Sequence, residues 1–311
     1  MKPLEDWTYL PSQRLGGGGY SDVYRCHRPE EPDTHCAIKV LKNPKYLKTL
    51  ERELKALNTM RGCPGVPQVI DHGRDRAGQL CLVTDLKPGK RLDTLVRDKG
   101  PLDENTTLAM AQQILDILKV AHGKDLLHKD ITPGNILLDG MQVSLIDWGV
   151  SEPLGDGRAP HIRSKREYCA PEYFYYKHCK ASDFYSLAWV MVFAMTGRQP
   201  YHFDEESDSG YRVVAHVMER PGLSAPVPKE WQPLIENWLS KEPKRRVLDY
   251  RFAARGLDND HFHTTTQEGK DYRQLRREFS FWHLGARLKI EYAKFMYDEK
   301  YIKSSTLSHS R

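Results

Sequence analysis

The sequence predicts an α+β fold of two lobes, in which a small β-rich lobe with one helix precedes a larger helical lobe. Short strand-like runs, separated by Gly or Pro clusters, occupy most of the first 85 residues. One segment among them instead carries apolar residues at helical spacing, and helical spacing dominates after Lys87-Pro88-Gly89. A chain of 311 residues is long enough for two domain-sized units. We expect an N-lobe over residues 1–84, a C-lobe over 85–252 and a C-terminal helical extension over 253–311.

Each predicted element rests on its apolar spacing and on the turn residues at its ends. The strand-like runs cover residues 9–15, 21–27, 35–41, 68–71 and 79–85. The N-lobe helix, predicted over residues 45–61, has leucines three and four positions apart at 47, 50, 54 and 57. In the C-lobe we expect helices over residues 103–121, 182–195 and 231–239, with Asp103 as N-cap of the first.

The composition is that of an ordinary globular protein, with 39% hydrophobic and 29% charged residues. No apolar run approaches the roughly 18 residues of a membrane-spanning helix, and the first residues lack the apolar core of a signal peptide. The six cysteines form no C-x-x-C pair and no zinc spacing with histidine, which favours a reducing environment. We therefore expect an intracellular monomer, cytoplasmic or nuclear or both, with no membrane or nucleic-acid partner. The net charge of +5 fits an anionic ligand or acidic partners, and it fits an unspecialised basic surface equally well.

Four glycines stand between the first two strand-like runs. The segment that contains them reads Leu15, Gly16, Gly17, Gly18, Gly19, Tyr20, Ser21, Asp22 and Val23. Glycines permit positive φ and let backbone N–H groups approach a phosphate closely. On its own the segment also fits a flexible turn, so its interpretation depends on the residues that follow.

Lys39 ends an apolar strand-like run beyond this glycine segment. Such a lysine is either a solvated strand edge or an ammonium held over phosphate oxygens. In the second role it needs a carboxylate to fix its direction, and Glu53 lies on the inward, leucine-bearing face of the next helix. Glu51 is the competing carboxylate, but it falls elsewhere on the helical wheel.

The densest polar signal is a pair of short segments in the middle of the chain. They read His128, Lys129, Asp130, Ile131, Thr132, Pro133, Gly134 and Asn135, and then Asp147, Trp148 and Gly149. Phosphoryl transfer needs a carboxylate that receives or orients the hydroxyl proton, and it needs oxygen ligands for Mg²⁺. Asp130 can fill the first role, and Asp147 and Asn135 the second. Two capped turns with Asx hydrogen bonds would use the same residue types, but they would not predict this order.

Taken in order, these segments resemble the signature set of the eukaryotic-type protein kinase superfamily. The matching runs are G-x-G-x-x-[GS]-x-V, A-I-K, H-[RK]-D-x-x-x-x-N, D-W-G and A-P-E, over about residues 9–250. The resemblance implies a bilobal kinase fold that uses ATP and Mg²⁺ and transfers the γ-phosphate to serine or threonine of a protein substrate. It also implies that Glu172 of A-P-E pairs with Arg246, and that Asp183 lies in the stretch that opens the central helix.

Three details resemble the catalytic subunit of casein kinase II within that superfamily. Ser21 stands where most kinases have a third glycine, Trp148 stands where most have phenylalanine, and residues 52–64 resemble that family's helix and its exit. The resemblance selects Glu53 over Glu51, and it implies activity without phosphorylation of the activation segment. It also implies that Trp148 holds the magnesium loop in its active setting, whereas a plain core position fits this residue too.

Two positions depart from the serine/threonine kinase pattern. Thr132 stands where most of these enzymes have a lysine that meets the transferred phosphate, and Lys165 stands where a threonine or serine normally packs against that lysine. The exchange predicts that Lys165 reaches back to Asp130 and the γ-phosphate while Thr132 takes the packing and hydrogen-bonding role. The alternative is that Lys165 only contacts substrate. Lys129 replaces the usual arginine, which keeps a charge for a phosphorylated Ser164 but loses the bidentate geometry.

The resemblance also assigns the catalytic and nucleotide-binding residues. Thr84 falls at the gatekeeper position, where it leaves room behind the adenine, and Asp85 and Leu86 fall in the hinge. The implied catalytic residues are Asp130, Lys39, Glu53, Asn135, Lys165 and Thr132, and the implied metal ligands are Asn135 and Asp147. The implied nucleotide-binding residues are Leu15, Gly16, Gly17, Gly18, Gly19, Tyr20, Ser21, Val23, Ala37, Lys39, Thr84, Asp85, Leu86, Leu137 and Ile146.

Basic residues around the expected phosphoacceptor groove predict acidic substrate sites, as in the resembled family. They are His161, Arg163, Lys165 and Arg166 in the activation segment, and Lys42, Lys45 and Lys48 before the N-lobe helix. A solvated basic surface is the alternative. In the extension, apolar residues near one helical face fit either packing on the kinase lobe or docking of a partner.

Two other functions fit parts of the pattern. A pseudokinase or scaffold that binds nucleotide or a partner without turnover agrees with Thr132, but the complete set of other polar residues opposes it. A kinase of a small molecule shares the Asp/Asn/Asp arrangement, but such enzymes usually lack the A-P-E segment. A protein serine/threonine kinase is therefore the preferred interpretation.

Overall fold

The computed structural model describes residues 3–4, 6–153, 167–175, 178–203, 212, 215–217, 219, 221, 223, 227–229 and 231–251. The predicted extension over residues 253–311 lies outside them. So do four basic residues predicted for the activation segment, together with Ser164: these are His161, Arg163, Lys165 and Arg166.

The N-lobe is built on a five-stranded antiparallel sheet in the order β1-β2-β3-β5-β4. Its strands are β1 (Thr8–Gly17), β2 (Ser21–Arg28), β3 (Glu31–Leu41), β4 (Val69–Arg74) and β5 (Leu80–Asp85). All five predicted strands are confirmed. β3 begins four residues earlier than predicted, because its exposed first half pairs with β2 without apolar side chains.

The alternation of side chains along β3 decides where Lys39 lies. Ile38 and Val40 belong to a buried cluster that also contains residues of β2 and β5 and Trp7 near the N-terminus. Successive side chains of a strand point to opposite faces of the sheet. Ala37 and Lys39 therefore share the opposite face, here called the cleft face.

The N-lobe helix, α1 (Leu47–Thr59), contacts β4 and β5. Leu50, Glu53 and Leu57 are buried and follow one another at spacings of three and four, so they form one face of the helix. Burying each leucine contributes about 1.5–3 kcal/mol relative to an exposed side chain. The predicted helix over residues 45–61 is thus confirmed, and a 3₁₀ turn over Pro44–Tyr46 replaces its first residues.

The C-lobe is mainly helical. Its helices are α2 (Leu92–Lys99), α3 (Glu104–Gly123), α4 (Lys180–Thr196) and α5 (Gln232–Trp238). Three of them were predicted, and the predicted cap is confirmed, because an Asp103 oxygen accepts the N–H of Thr106 at 2.9 Å. Helix α2 was missed, because only Leu92 and Val96 are buried in its eight residues. None of the described helices is long and apolar enough to cross a membrane.

Helix α4 is the centre of the C-lobe. Every residue from Ala181 to Met195 is buried, and α4 packs against both α3 and α5. A helix that is buried on all sides carries apolar residues all round rather than on one stripe. It ends at Gly197, whose φ of 69° is the left-handed conformation that favours glycine at a helix end.

Two small sheets position the polar segments that the sequence singled out. One contains β6 (Lys90–Arg91), β8 (Ile136–Asp139) and β9 (Gln142–Leu145), and the other pairs β7 (Leu126–Leu127) with β10 (Glu152–Pro153). The loop over residues 128–135 connects β7 to β8, and residues 146–149 directly follow β9. Asp130 and Asp147 are therefore each held next to a strand.

A buried ion pair joins the segment before α4 to the end of the described C-lobe. Arg246 Nη1 donates to Glu172 Oε1 at 2.6 Å, and Nη2 donates to Oε2 at 2.9 Å. The arginine side chain is fully buried, and its Nη1 also donates to the carbonyl of Ala181 at 3.0 Å. The predicted pairing of Glu172 with Arg246 is confirmed.

Candidate active site

Lys39 is the centre of a group of charged side chains on the cleft face. Its Nζ donates to Glu53 Oε1 and Oε2 at 2.8 and 2.6 Å, and to Asp147 Oδ1 at 2.9 Å. Glu53 is buried in α1, whereas Glu51 is exposed. The prediction that Lys39 pairs with Glu53 rather than Glu51 is confirmed.

These three charges set one another's protonation. Burial acts to lower the pKa of the Lys39 ammonium, but the two carboxylates outweigh it and raise this pKa above its ordinary value. Lys39 in turn lowers the pKa of the Asp147 carboxyl. For Glu53, burial raises the pKa of the carboxyl in spite of the neighbouring ammonium. Lys39 and the half-exposed Asp147 are therefore both charged at neutral pH.

Asn135 ties the loop over residues 128–135 to the segment after β9. Its Nδ2 donates to the backbone oxygen of Asp130 at 2.9 Å and to Asp130 Oδ2 at 2.8 Å. Its backbone oxygen accepts the N–H of Ile146, the residue before Asp147, at 2.9 Å. Three of the predicted site residues, Asp130, Asn135 and Asp147, are therefore brought together.

A buried carboxylate in α4 supports the same loop. Asp183 is 1% exposed, and its two oxygens accept the N–H groups of His128 and Lys129 at 3.0 and 2.9 Å. His122 Nε2 lies 2.9 Å from Asp183 Oδ2. Although burial acts to raise the pKa of Asp183, the hydrogen bond from His122 and the other contacts lower it overall. The sequence indicated Asp183 only through a resemblance, and nothing in it indicated His122.

Two residues of the site have a left-handed backbone that is unusual outside glycine. The φ angle is 70° at Lys129 and 62° at Asp147. Each such residue costs about 1–3 kcal/mol and persists where its surroundings fix it. Here Asp183 holds the N–H of Lys129, and Lys39 holds the side chain of Asp147.

Trp148 is buried beneath this site. Its Nε1–H donates to the carbonyl of Leu145 at 3.0 Å, and its ring packs edge-on against the His128 ring with centroids 4.5 Å apart. The residue after Asp147 is thus fixed both to β9 and to the loop that carries Asp130. Aromatic pairs of this geometry contribute about 0.5–1.5 kcal/mol beyond their buried area.

The glycine segment forms the turn between β1 and β2. None of its four glycines is among the described glycines with positive φ, so the turn does not use the backbone freedom that glycine permits. A Cβ at Gly17 would lie 2.1 Å from Asp22 Oδ1 and 2.5 Å from Arg14 Nη2, so these two flexible side chains would have to move to accommodate it. A Cβ on Gly16, Gly18 or Gly19 would meet nothing within 4 Å. That side of the turn is open among the described residues.

The predicted nucleotide-binding residues of the N-lobe lie on the cleft face. Val23 pairs with Lys39 across β2 and β3, and Ala37 pairs with Thr84 across β3 and β5. Residues directly opposite in an antiparallel pair share a face. Five apolar side chains expected at the nucleotide are only partly buried. They are Val23, Ala37, Leu86, Leu137 and Ile146.

The predicted hinge is braced by a residue that the sequence did not indicate. Asp85 Oδ1 accepts the N–H of Gln68 at 2.6 Å, and the N–H of Asp85 donates to the Gln68 carbonyl at 3.0 Å. Asp85 Oδ2 also pairs with Lys87 Nζ at 2.9 Å. Because Gln68 lies 17 positions before Asp85, no local pattern connects them.

Of the two residues predicted to exchange roles, Thr132 lies within the described part of the chain and Lys165 does not. Thr132 is buried, as expected for a packing role, but its hydroxyl has no hydrogen-bond partner within the described part of the chain. The hydrogen bond expected of Thr132 is therefore not seen there. Lys165, its expected counterpart, lies outside the described residues.

The basic residues before α1 differ in how far they are neutralised. Lys42 Nζ lies 3.4 Å from Asp22 Oδ1, which also accepts from Arg14. Lys45 Nζ lies 5.1 Å from the centre of the Tyr46 ring. A cation that is paired with a carboxylate attracts an acidic ligand less, so Lys42 adds less to a basic surface than its charge alone suggests.

Comparison with known proteins shows which family the sequence matches. A model of the protein kinase domain matches residues 9–253. The serine/threonine-protein kinase PknK of Mycobacterium tuberculosis is 31% identical over 247 residues, which cover 75% of this chain and 22% of that protein. The serine/threonine-protein kinase ULK3 of Xenopus laevis is 28% identical over 264 residues, covering 81% of this chain and 55% of that protein.

These relatives are longer proteins, and this chain corresponds to a part of each. The family match covers both lobes, from β1 to the end of the described C-lobe, and thus all of the charged groups around Lys39 and Asp130. The predicted bilobal fold and the resemblance to the kinase superfamily are confirmed by it. The chain belongs to the protein kinase domain family.

Proposed function

We propose that the chain is a protein serine/threonine kinase that transfers the γ-phosphate of ATP to a serine or threonine hydroxyl of a protein. One observation carries this function: Lys39 is held between Glu53 and Asp147, and Asn135 links Asp130 to Ile146, the residue before Asp147. Residues of both lobes thus form one continuous group of contacts. The names of the similar serine/threonine-protein kinases support the same function.

Each of these residues has a distinct chemical task in the proposal. Lys39 binds phosphate oxygens, and Glu53 fixes the direction of its ammonium. Asp130 orients the hydroxyl of the substrate and accepts its proton, and the hydrogen bond from Asn135 holds Asp130 in place. Because phosphoryl transfer needs little covalent chemistry from the protein, positioning and charge stabilisation supply most of the rate.

The oxygen atoms around Asp147 suit Mg²⁺. Asn135 uses its amide nitrogen on Asp130, which leaves its amide oxygen as an acceptor, and Asp147 Oδ1 is bound to Lys39 while its carboxylate is half exposed. Carboxylate and amide oxygens are the ligands that hard cations take. We assign Asn135 and Asp147 as ligands of Mg²⁺, which when bound with ATP neutralises charge on the phosphate oxygens.

The adenine is proposed to lie against the partly exposed apolar residues of the cleft face. Ala37 and Val23 contact it from the N-lobe, Leu137 and Ile146 from the C-lobe, and Leu15 from the glycine turn. The backbone of Asp85 and Leu86 binds the adenine edge, beside Thr84 as gatekeeper. The glycine turn, from Gly16 to Ser21, covers the phosphates, which suits the open side of Gly16, Gly18 and Gly19.

Thr132 and Lys165 are proposed to exchange the roles that their positions have in most related enzymes. The buried hydroxyl of Thr132, which has no hydrogen-bond partner among the described residues, agrees with a packing position and does not supply a charge at the phosphate. Lys165 supplies that charge in the proposal. Lys165→Ala then reduces the transfer rate about 10²-fold or more, as expected for loss of a charge at the transferring group. The same change at exposed Lys99 is the control, and a near-normal rate in Lys165→Ala would contradict the exchange.

We also propose that the chain is active without phosphorylation of its activation segment, as the casein kinase II-like details imply. The support is Trp148, whose hydrogen bond to Leu145 and packing on His128 fix the residue next to Asp147. Treatment with a phosphatase before the assay tests this, and the rate is expected to stay the same. A loss of activity that returns after autophosphorylation would contradict it.

Acidic substrate sites are a further proposal. Lys45 and Lys48 precede or begin α1 beside the glycine turn, and Lys42 contributes less because of Asp22. The basic residues of the activation segment complete the proposed surface. The N-lobe (1–84), the C-lobe (85–252) and a partner-binding or packing extension (253–311) are proposed as domains of an intracellular monomer.

Radiolabelled phosphate transfer from ATP–Mg²⁺ tests the proposed function. The substrates are casein and a pool of acidic serine and threonine peptides, and Asp147→Ala is compared with Asp139→Ala, an exposed aspartate in the β8–β9 turn. We expect transfer by the unsubstituted chain and by Asp139→Ala, and loss in Asp147→Ala. ATP binding without transfer to any protein would favour the pseudokinase, and transfer only to small molecules would favour the small-molecule kinase.

A further inference from the structure

The segment over residues 167–169, which precedes the A-P-E run, is held by contacts at both its backbone and its side chains. Tyr168 is buried, and its carbonyl accepts the Ser186 hydroxyl at 2.8 Å. At its other end, the Tyr168 hydroxyl donates to Gln199 Oε1 at 2.7 Å. Burial raises the pKa of the Tyr168 phenol well above its ordinary value, so the hydroxyl keeps the proton that it donates.

Helix α4 fixes this segment close to the loop that carries Asp130. Asp183 accepts two N–H groups of that loop, and Ser186 donates to Tyr168. Residues three positions apart in a helix are neighbours on one face, with Cβ atoms roughly 5–6 Å apart. Asp183 and Ser186 therefore lie side by side on α4, and so do the two segments that they hold. A protein substrate whose hydroxyl reaches Asp130 has residues 167–169 as its neighbour.

The region that follows α4 holds the same segment from the other side. Besides the contact of Gln199 with Tyr168, His216 Nε2 lies 2.9 Å from the carbonyl of Glu167, and Arg212 forms an ion pair with the Glu167 carboxylate. Gln199 differs from Ser186 in its setting. Ser186 is inside the buried helix, whereas Gln199 is exposed two residues beyond the glycine that ends it.

We propose that Gln199 is a positioning residue for the protein substrate, which acts by holding the Tyr168 hydroxyl and so fixing residues 167–169 as a wall of the substrate site. The inference rests on the proposed function and names a determinant of substrate binding within it. Within the described part of the chain, Gln199 forms no hydrogen bond with a residue of the proposed nucleotide site or with Asp130. Its loss therefore affects the Michaelis constant of the protein substrate and leaves that of ATP unchanged.

Steady-state kinetics with a protein substrate and with ATP, each varied in turn, tests this proposal. In Gln199→Leu we expect KM for the protein substrate to rise roughly two- to tenfold, the equivalent of one hydrogen bond, with KM for ATP unchanged. Gln199→Glu keeps an oxygen that accepts from Tyr168, and it should stay within about twofold of the unsubstituted chain. Tyr168→Phe should reproduce the rise, and the double variant should add nothing, because both changes remove the same bond.

The matched control is Gln142→Leu, at an exposed glutamine of β9 that makes no side-chain hydrogen bond within the described residues. It should leave both KM values unchanged. Additive effects of Gln199→Leu and Tyr168→Phe, or an unchanged KM for the protein substrate, would overturn the inference and leave the proposed function standing. An unsubstituted chain that phosphorylates no protein would overturn both.

Discussion

Two groups of oppositely charged side chains, one between the lobes and one inside the C-lobe, differ in what surrounds them. Arg246 and Glu172 are enclosed, and carbonyl and hydroxyl groups of the C-lobe satisfy their remaining hydrogen bonds. Lys39 and Glu53 are nearly as buried, but their third partner, Asp147, is half exposed. The first group is closed and joins parts of the fold, whereas the second has one open side on which a ligand can compete for its charges.

The closed group should matter most for stability. Glu172→Gln leaves the Arg246 guanidinium buried without its counter-charge, which typically costs about 3–5 kcal/mol. We expect that loss in the free energy of unfolding measured with urea. The control is Glu242→Gln, which breaks the exposed pair of Glu242 with Arg245 and should cost less than about 1 kcal/mol. Equal losses in the two variants would mean that enclosure does not distinguish these pairs.

The open group should matter most for activity. Lys39→Met removes the cation that is proposed to bind phosphate, and we expect the transfer rate to fall by about 10²–10³-fold. Its free energy of unfolding should fall by less than that of Glu172→Gln, because the two carboxylates left behind can reach solvent or, in the case of Glu53, take up a proton. Parallel kinetic and urea measurements on both variants separate the two effects. A Lys39→Met protein that is as unstable as Glu172→Gln would contradict this contrast.

Two buried tryptophans allow the same comparison with a smaller change. Trp148 and Trp238 each donate from Nε1 to a backbone carbonyl, at 3.0 and 2.9 Å, and both are fully buried. Replacing either with Phe removes this hydrogen bond and leaves a cavity where the larger ring packed, so each should lose about 1–3 kcal/mol of stability. Only Trp148→Phe should also lower the transfer rate, because Trp148 follows Asp147. Equal activity in the two variants would assign Trp148 a core role alone.

A pH-dependent effect concerns His178, whose ring nitrogens have no hydrogen-bond partner within the described structure and whose ring packs 4.2 Å from that of Tyr173. Burial, with a smaller contribution from Lys129, lowers the pKa of His178 from 6.5 to about 4. The unfolded chain therefore takes up a proton near pH 6.5 that the folded chain takes up only near pH 4. Stability should fall as the pH drops between these values.

Urea unfolding at several pH values between 7.5 and 4.5 measures this effect. His178→Gln should flatten the pH dependence of the unfolding free energy, and the same change at exposed His35 should not. An unchanged pH dependence in His178→Gln would show that other groups cause the loss of stability in acid.

The sequence predicted those features that repeat along the chain or lie close together in it. The strand over residues 21–28 was placed to within one residue, and Glu53 was chosen correctly because the helical period puts it beside the leucines of α1. Helix α2 was not predicted, because two buried residues among eight do not produce a recognisable helical periodicity. The conformation of the glycine turn could not be predicted, because glycines permit positive φ without requiring it, and none of these four adopts it.

Apart from Lys39 and Glu53, contacts between distant residues were predicted where a resemblance supplied both partners, as with Glu172 and Arg246. Gln68 contacts Asp85, and His122 contacts Asp183, which lies 61 positions later. Neither Gln68 nor His122 lies in a sequence pattern that indicates its partner. The partial neutralisation of Lys42 by Asp22 is of the same kind, because it depends on strand register. Such pairings arise from tertiary packing, which periodicity and spacing do not encode.

The contact between Lys39 and Asp147 spans 108 positions of the chain, and this separation has a consequence for biosynthesis. The antiparallel strands of the N-lobe pair mostly with their neighbours in sequence, so they can associate while the rest is still being made. The charged group between the lobes cannot close before Asp147 has left the ribosome. We therefore expect the nascent N-lobe to fold before the charged group between the lobes is complete. Partly synthesised chains should then be catalytically inactive.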